Sequence, residues 1–426
     1  MDRRTFLSAT TIAATLPLAG APAFAAQNAA DPKASARMDR LGAAIAANRM
    51  PLGFANYRFS GGGYDWLIER GSNAHAFLIG EEHGIAENPK LAAQLFTALV
   101  PQDYRHVAIE ISPPMAAAVD AALAARKPAD LHRLLTTPET RVAFLGMREE
   151  AEWLQQARAA LPGSKPFLWG LDYEVGADRH LIRLLKAQTK SPAATAALQR
   201  LDDASTESWA RYDQTKNPKY IYSFAGDPKL VRDLRAAWPR ADGDSRLVMD
   251  TLEQTFAINA LWVAGKGYES NGARSANLRA NLLRYWKSKE RSDPDGRLLM
   301  KMGASHLVRG VNMSDVFDLG SLVPELLAAK GRTSFHMLVL PGPQSQTANL
   351  DPTKFRYVPG KRDQYGKGME LFDEAVIPGT FTVFDTAPLR SIASSYSGEL
   401  ALPIWRVIHG FDAVLVMTGS TPSSNL

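Results

Sequence analysis

Cysteine is missing altogether from the 426 residues. Its absence excludes disulfides, zinc ribbons, iron–sulfur clusters, covalently attached c-type haem and any thiol nucleophile. A bound metal would therefore have to sit on His, Asp or Glu. A one-sided charge is lacking too, since 49 Lys and Arg stand against 44 Asp and Glu, for a net +5. No basic run concentrates that small excess, so a phosphate-tracking, nucleic-acid-binding surface is not expected. Nor is there a long apolar run, and no transmembrane anchor is expected. The motifs GxxxxGK[ST], GxGxxG after a strand, GxSxG and HExxH do not occur, which removes the common nucleotide-binding and hydrolase signatures. What remains is a chain that is 46% hydrophobic and 22% charged, ample for a large buried core and incompatible with overall disorder.

The first 25 residues read as an address. Arg3-Arg4 precede Thr5-Phe6-Leu7, a mild apolar stretch runs to Leu18, and Ala23-Phe24-Ala25 offers a small-x-small cleavage site. The string Asp2-Arg3-Arg4-Thr5-Phe6-Leu7-Ser8 resembles a twin-arginine export signal. The twin-arginine export machinery is thus an expected partner, and the expected location is the periplasm or outside the cell, after cleavage near Ala25.

Residues 26–60 read as a linker with a helix near Met38–Ala47, and residues 61–426 as one α/β domain. Short apolar runs of the kind that form buried parallel strands occur at Ala76–Ile79, Val107–Ile111, Phe167–Leu171, Leu298–Met302, Phe335–Leu340, Phe381–Phe384 and Ala413–Met417. Helical patterns fall at Pro89–Leu99, with Asn88 as its cap, at Met115–Ala125 and at Arg141–Ala160. Between about 178 and 290 no strand pattern appears, only leucines at helical spacing among Trp209, Trp238, Trp262 and Trp286. The expected fold is a mostly parallel sheet flanked by helices, with a helical insertion between its two halves. The Gly-, Pro-, Lys- and Asp-rich region 342–378 reads as a long surface loop or lid.

The chemistry should lie where the strands end. Ala76–Ile79 runs into Gly80-Glu81-Glu82-His83, Val107–Ile109 into Glu110, Phe167–Leu171 into Asp172, and Leu298–Met302 into Gly303-Ala304-Ser305-His306. In a parallel α/β sheet, ligands bind in the crevice beyond the carboxyl ends of the strands. That edge therefore receives two Gly-x-x-His tetrapeptides and several carboxylates. A carboxylate in an apolar strand needs a partner, so Glu110 is either functional or satisfied by backbone donors. Asp172 serves a site or caps a helix. The other histidines, His75, His106, His132, His180, His336 and His409, read as surface or packing residues.

Together these residues resemble the superfamily that joins the Tiki and TraB proteins with the erythromycin esterases and the ChaN haem-uptake proteins. The first motif, Phe77 to His83, is close to the ChaN spelling, and esterase members make it one residue longer. His106 to Glu110 matches the glutamate-bearing strand, and Lys301 to Gly310 carries the second motif. Arg274, Leu278 and Asn281 resemble the esterase branch's helix pattern, and Gly170-Leu171-Asp172 its Gly-x-Asp segment. The esterase resemblance implies a hydrolase of ester-like or amide-like bonds acting on a small-molecule substrate. In it, His83 or His306 is general base, Glu110 or Glu81 orients it, Arg274 meets the substrate and opposes developing charge, and Asp172 assists binding. The Tiki branch implies instead a divalent metal on His83, His306 and Glu110. The ChaN branch implies haem or iron binding.

Overall fold

The computed structural model describes residues 32–426, apart from positions 126, 164, 364 and 397. The export-signal reading of residues 1–25 lies outside the described residues.

Among the described residues eleven strands form: β1 (Arg49–Ala55), β2 (Arg58–Ser60), β3 (Ala76–Glu81), β4 (Tyr104–Ile109), β5 (Leu168–Gly170), β6 (Arg297–Gly303), β7 (Ser334–Pro341), β8 (Gln346–Asp351), β9 (Arg356–Lys361), β10 (Phe381–Asp385) and β11 (Ala413–Met417). Nine make one sheet in the order β2-β1-β10-β11-β7-β3-β6-β4-β5. From β11 to β5 the neighbours are parallel, while β10, β1 and β2 extend the sheet antiparallel. The fold is thus the expected mostly parallel α/β sheet, and each of the seven apolar runs contributes a strand.

The pleat sorts alternate residues between two layers. Phe77, Ile79, Val107, Ile109 and Leu299 face one apolar layer, under the helix Arg148–Ala160. Ala76, Leu78, Ala108, Leu298 and Met300 face the other, against Leu278, Leu282 and Trp286 of the helix Gly267–Ser292. Both faces of the sheet are covered, which is why its strands read as continuous apolar runs.

From Asp178 to Ser292 the described residues form helices and turns without a strand. Elsewhere the structure corrects local expectations. Residues 26–60 supply, besides the helix Pro32–Ala47, the antiparallel pair β1 and β2. The region 342–378 holds a β-hairpin, β8 and β9, paired from Gln346↔Lys361 to Asp351↔Arg356. The helix expected from Arg141 begins only at Arg148, because residues 141–147 form two isolated bridges, Arg141 to Gly176 and Met147 to Asn425, with turns between them. The helix expected from Pro89 begins at Glu87, and the Asn88 side chain donates to Glu81 rather than capping.

Candidate active site

The site is assembled at the carboxyl ends of β3, β4 and β6. Glu81 and Gly303 are register partners, as are Ile79 and Lys301. Two-residue alternation therefore aims Glu81 and Lys301 into one layer and Glu110, which follows Ile109, into the other.

In the first layer Lys301 is a buried cation, with Nζ 2.7 Å from Glu81 Oε1 and 2.5 Å from Glu150 Oε1. Trp153 Nε1 donates to the other Glu150 oxygen at 3.1 Å, and Asn88 Nδ2 to the other Glu81 oxygen. Glu81 Oε1 also accepts from His83 Nδ1 at 2.9 Å, fixing that ring's orientation. Burial pushes the Glu81 carboxyl up, but Lys301 and His83 outweigh it and hold it below the usual range. Burial dominates at Glu150, whose carboxyl is raised.

In the second layer Glu110 is shared. Its Oε2 accepts from the Gly303 backbone N–H at 2.8 Å, and its Oε1 from Arg274 Nη2 at 2.6 Å. His83 Nε2 lies 3.5 Å from Oε2, and His306 Nε2 lies 3.4 Å from Oε1. The two Gly-x-x-His motifs thus converge on the carboxylate that the β4 strand delivers. Asp318 Oδ2 holds His306 Nδ1 at 2.7 Å, while Asp318 Oδ1 accepts from the N–H of Leu319 at the start of the next helix. Arg274 is fixed by Asp172 through Nε at 3.1 Å and Nη2 at 2.5 Å, which leaves Nη1 without a protein hydrogen bond among the described residues. Asn281, two turns further along that helix, donates to the Leu171 carbonyl at 2.8 Å and seats it on the strand end.

These contacts set the protonation states. Burial pushes the His83 imidazole down, yet hydrogen bonds and charge from Glu110 and Glu81 outweigh it and raise it to about 9. His306 behaves likewise: burial lowers it, the Glu110 charge and Asp318 outweigh burial and the opposing Arg274, and it rises to about 10. Glu110 is pushed up by burial but held well below the usual range by both histidines and Arg274. At neutral pH the site therefore carries two imidazolium rings around one carboxylate.

His83, Asp172 and Arg274 open onto a cavity of about 120 Å³, whose other walls include Arg141, Phe144, Tyr173 and, from the hairpin, Ala348, Leu350, Phe355 and Tyr357. Phe144 stacks on the His83 ring at 4.1 Å and sits at φ +62°, a conformation that is strained for an aromatic residue. Its N–H donates to Tyr357 Oη at 2.8 Å, so the hairpin holds the ring that supports His83. Behind His83 a void of about 20 Å³ touches Glu81, Glu110, Glu150 and Lys301. It has room and polar partners for one water.

Of the sequence-designated residues, His83, His306, Glu110, Glu81, Arg274 and Asp172 are all brought together here. His336 is instead fully buried away from this cluster on the Leu307 carbonyl, and burial first, then Arg309, depress it to about 3. Lys301, Glu150, Asp318 and Phe144 were not singled out from sequence. Lys301 carried the same signal as Glu110, a charge inside an apolar run.

The donor set does not suit a divalent cation. The two oxygens of Glu110 are taken by the Gly303 N–H and the Arg274 guanidinium, and a second cation there would meet Arg274. Among the described residues no group of three His, Asp or Glu side chains is arranged to hold a metal ion. Nor does the cavity aim a free imidazole at a haem iron, since His83 turns Nδ1 to Glu81 and Nε2 to Glu110.

No family model matches the chain, and no curated protein matches it. Solved structures do. A succinoglycan biosynthesis protein superposes with a TM-score of 0.59 at 14% identity, covering 91% of this chain and 98% of that one. A variant of the erythromycin esterase EreC in its open conformation gives 0.57 at 13%, covering 88% and 98%. A Bacillus cereus protein gives 0.54 at 14%, covering 91% and 99%. The chain has the fold of the erythromycin esterases, as the histidine motifs implied.

Proposed function

We propose that the protein is an exported hydrolase of an ester-like or amide-like bond, with His83 activating the water. The observation that carries this reading is the single carboxylate of Glu110, flanked by His83, His306 and Arg274, with His83 and Arg274 on the wall of a cavity. The likeness in fold to an erythromycin esterase points the same way.

His83 is the more accessible imidazole, its side chain 13% exposed against 7% for His306, and it lines the cavity where His306 does not. In its neutral form it takes a proton from water, and the resulting hydroxide attacks the carbonyl carbon. Glu81 and Glu110 stabilise the imidazolium so formed. Negative charge gathers on the carbonyl oxygen and meets Arg274, whose Nη1 is free to donate. Collapse of the tetrahedral species breaks the bond to the leaving group, which takes the proton back from His83. His306 and Asp172 are positioning residues: one adds positive charge behind Glu110, and the other fixes the guanidinium. Each group acts without a metal.

A panel of esters, lactones and amides assayed with purified protein tests the reading. His83→Ala should lower kcat by about 10²–10⁴-fold, the usual contribution of a general base, and His306→Ala should lower it less. Equal turnover in wild type and both variants would sink the assignment. For export, replacing Arg3 and Arg4 together by lysine should leave precursor in the cytoplasm, whereas the unaltered chain should appear outside it, beginning near Ala26.

A further inference from the structure

Arg141 stands on the cavity wall with His83 and Arg274, and the chemistry above gives it nothing to do. Its guanidinium makes no hydrogen bond or ion pair among the described residues, and Nη1 is buried without a partner. It is packed among rings instead: Cζ lies 4.9 Å from the centre of Trp209, 5.0 Å from Phe355 and 5.8 Å from Tyr212. Arg179 stacks over the same Trp209 at 4.7 Å, gives Nη2 to the Pro138 carbonyl at 2.7 Å, and leaves Nε buried and unpartnered.

The nearby acids are committed elsewhere. Asp178 accepts from Trp209 Nε1 and Ser205 Oγ, and burial raises its carboxyl. Asp213 pairs with Lys216. Burial, then the charge of Arg179, lowers the Arg141 guanidinium. Aromatic faces supply attraction but accept none of the five N–H donors that an arginine carries. Arg141 is half-buried, and a buried guanidinium nitrogen such as its Nη1 is costly to leave without a partner. The other cations of the cavity are balanced: Arg274 by Asp172 and Glu110, His83 by Glu81 and Glu110.

We infer that Arg141, with Arg179 beside it, is an anion subsite, and that the bond cut at His83 belongs to a small molecule bearing a carboxylate or phosphate group. The planar guanidinium fork matches either group in a two-point contact. The cavity's 120 Å³ limits the enclosed part of the ligand to a fragment of about one ring's size. The anion site stands on its own geometry; only the identification of its occupant as a substrate rests on the hydrolase reading.

Two measurements on the full-length chain separate these claims. In the first, succinate and inorganic phosphate are titrated separately at low salt into wild type, His83→Asn, Arg141→Lys and Arg141→Gln. Saturable binding is expected in wild type and His83→Asn, weaker by about tenfold or more in Arg141→Gln and intermediate in Arg141→Lys, as loss of a charge-assisted two-point contact implies. The tighter anion names the group. In the second, the 4-nitrophenyl half-ester of succinate is compared with 4-nitrophenyl acetate. The charged ester should have a KM lower by about tenfold or more, and Arg141→Gln should close that gap. Arg141-dependent anion binding without hydrolysis of either ester leaves the subsite standing and removes the hydrolase. Equal KM for the two esters, with no saturable anion binding in wild type, removes the subsite and leaves the hydrolase. Should Arg141→Gln fail to fold, unaltered anion binding in Arg141→Lys together with unaltered discrimination between the esters overturns the inference as well.

Discussion

Two imidazoles facing one carboxylate titrate as a group, and that group ties activity to stability with opposite signs. His83 and His306 are raised to about 9 and about 10 by Glu110, Glu81 and Asp318 against burial. A raised imidazole contributes stability that is complete below its unfolded value of roughly 6.5 and is lost as pH climbs through the folded value. The melting temperature should therefore fall between pH 7 and pH 10. Catalysis needs His83 neutral, so kcat/KM should rise about tenfold per unit from pH 6 and level off near 9. Parallel pH series of thermal unfolding and hydrolysis check both trends, and a rate that falls over this range would make His83 a proton donor rather than the base. Lys301 gives a second expectation at this scale. Its side chain, 2% exposed, holds Glu81 and Glu150 apart. Lys301→Met leaves two buried carboxylates facing each other and should destabilise by about 3–5 kcal/mol; Lys301→Arg should recover part of this. Denaturant titration at pH 7 measures it. Because Arg274 takes the place a cation would need, exhaustive dialysis against a chelator should leave turnover unchanged.

Among the elements, the β8–β9 hairpin decides what reaches His83. It closes the cavity with Ala348, Leu350, Phe355 and Tyr357, and it docks on the loop that carries the first histidine motif. Ala348 N–H donates to the Gly84 carbonyl at 3.0 Å. Gly84 sits at φ +86°, and a Cβ there would meet the Ala348 carbonyl oxygen at 2.2 Å, far inside any contact that real side chains make. Gly84→Ala should therefore push the hairpin off, cost about 2 kcal/mol or more, and leave segment 346–361 sensitive to limited proteolysis. Resistance equal to wild type would show that the hairpin is held by other contacts.

The elements differed in how plainly the sequence announced them. Strands buried on both faces spell continuous apolar runs, so β3, β4, β6, β7 and β11 were legible, and with them the residues that strand ends present. The hairpin was not, because Gln346–Asp351 and Arg356–Lys361 are largely polar and spell no continuous apolar run, although Ala348, Leu350 and Tyr357 pack on Met147. The same holds for β2. Glu81, Glu110 and both histidines could be designated because each lies at the end of a strand or within three residues past it. Asp318 and Glu150 reach the site from distant helix starts, and Phe144 through a strained turn, so only the folded chain brings them into view.

Across the whole molecule, three site segments that are far apart in sequence are held together by a fourth. Thr421 donates through N and Oγ to Glu87, at 3.0 Å and 2.7 Å, beside the first histidine motif. Ser424 donates to Glu149 at the start of the helix that carries Glu150. Asn425 exchanges two hydrogen bonds of 2.8 Å with the Tyr357 backbone on the hairpin, and Ser423 N–H donates to the Gly84 carbonyl at 2.9 Å. The parallel sheet does not need these bonds, since its strands pair without residues 421–426. What they fix is the position of His83, Phe144 and Tyr357 relative to one another. Hydrogen bonds of this partly exposed kind contribute about 0.5–1.5 kcal/mol each, enough together to bias a hairpin between closed and open states. Replacing Thr421, Ser424 and Asn425 by alanine should therefore lower kcat/KM by about tenfold or more while leaving far-ultraviolet circular dichroism unchanged. Amide exchange in segment 346–361 should quicken, with the sheet core unaffected. If instead exchange accelerates uniformly across β3, β6 and β7, residues 421–426 support the global fold rather than the site, and the activity loss must be assigned to stability.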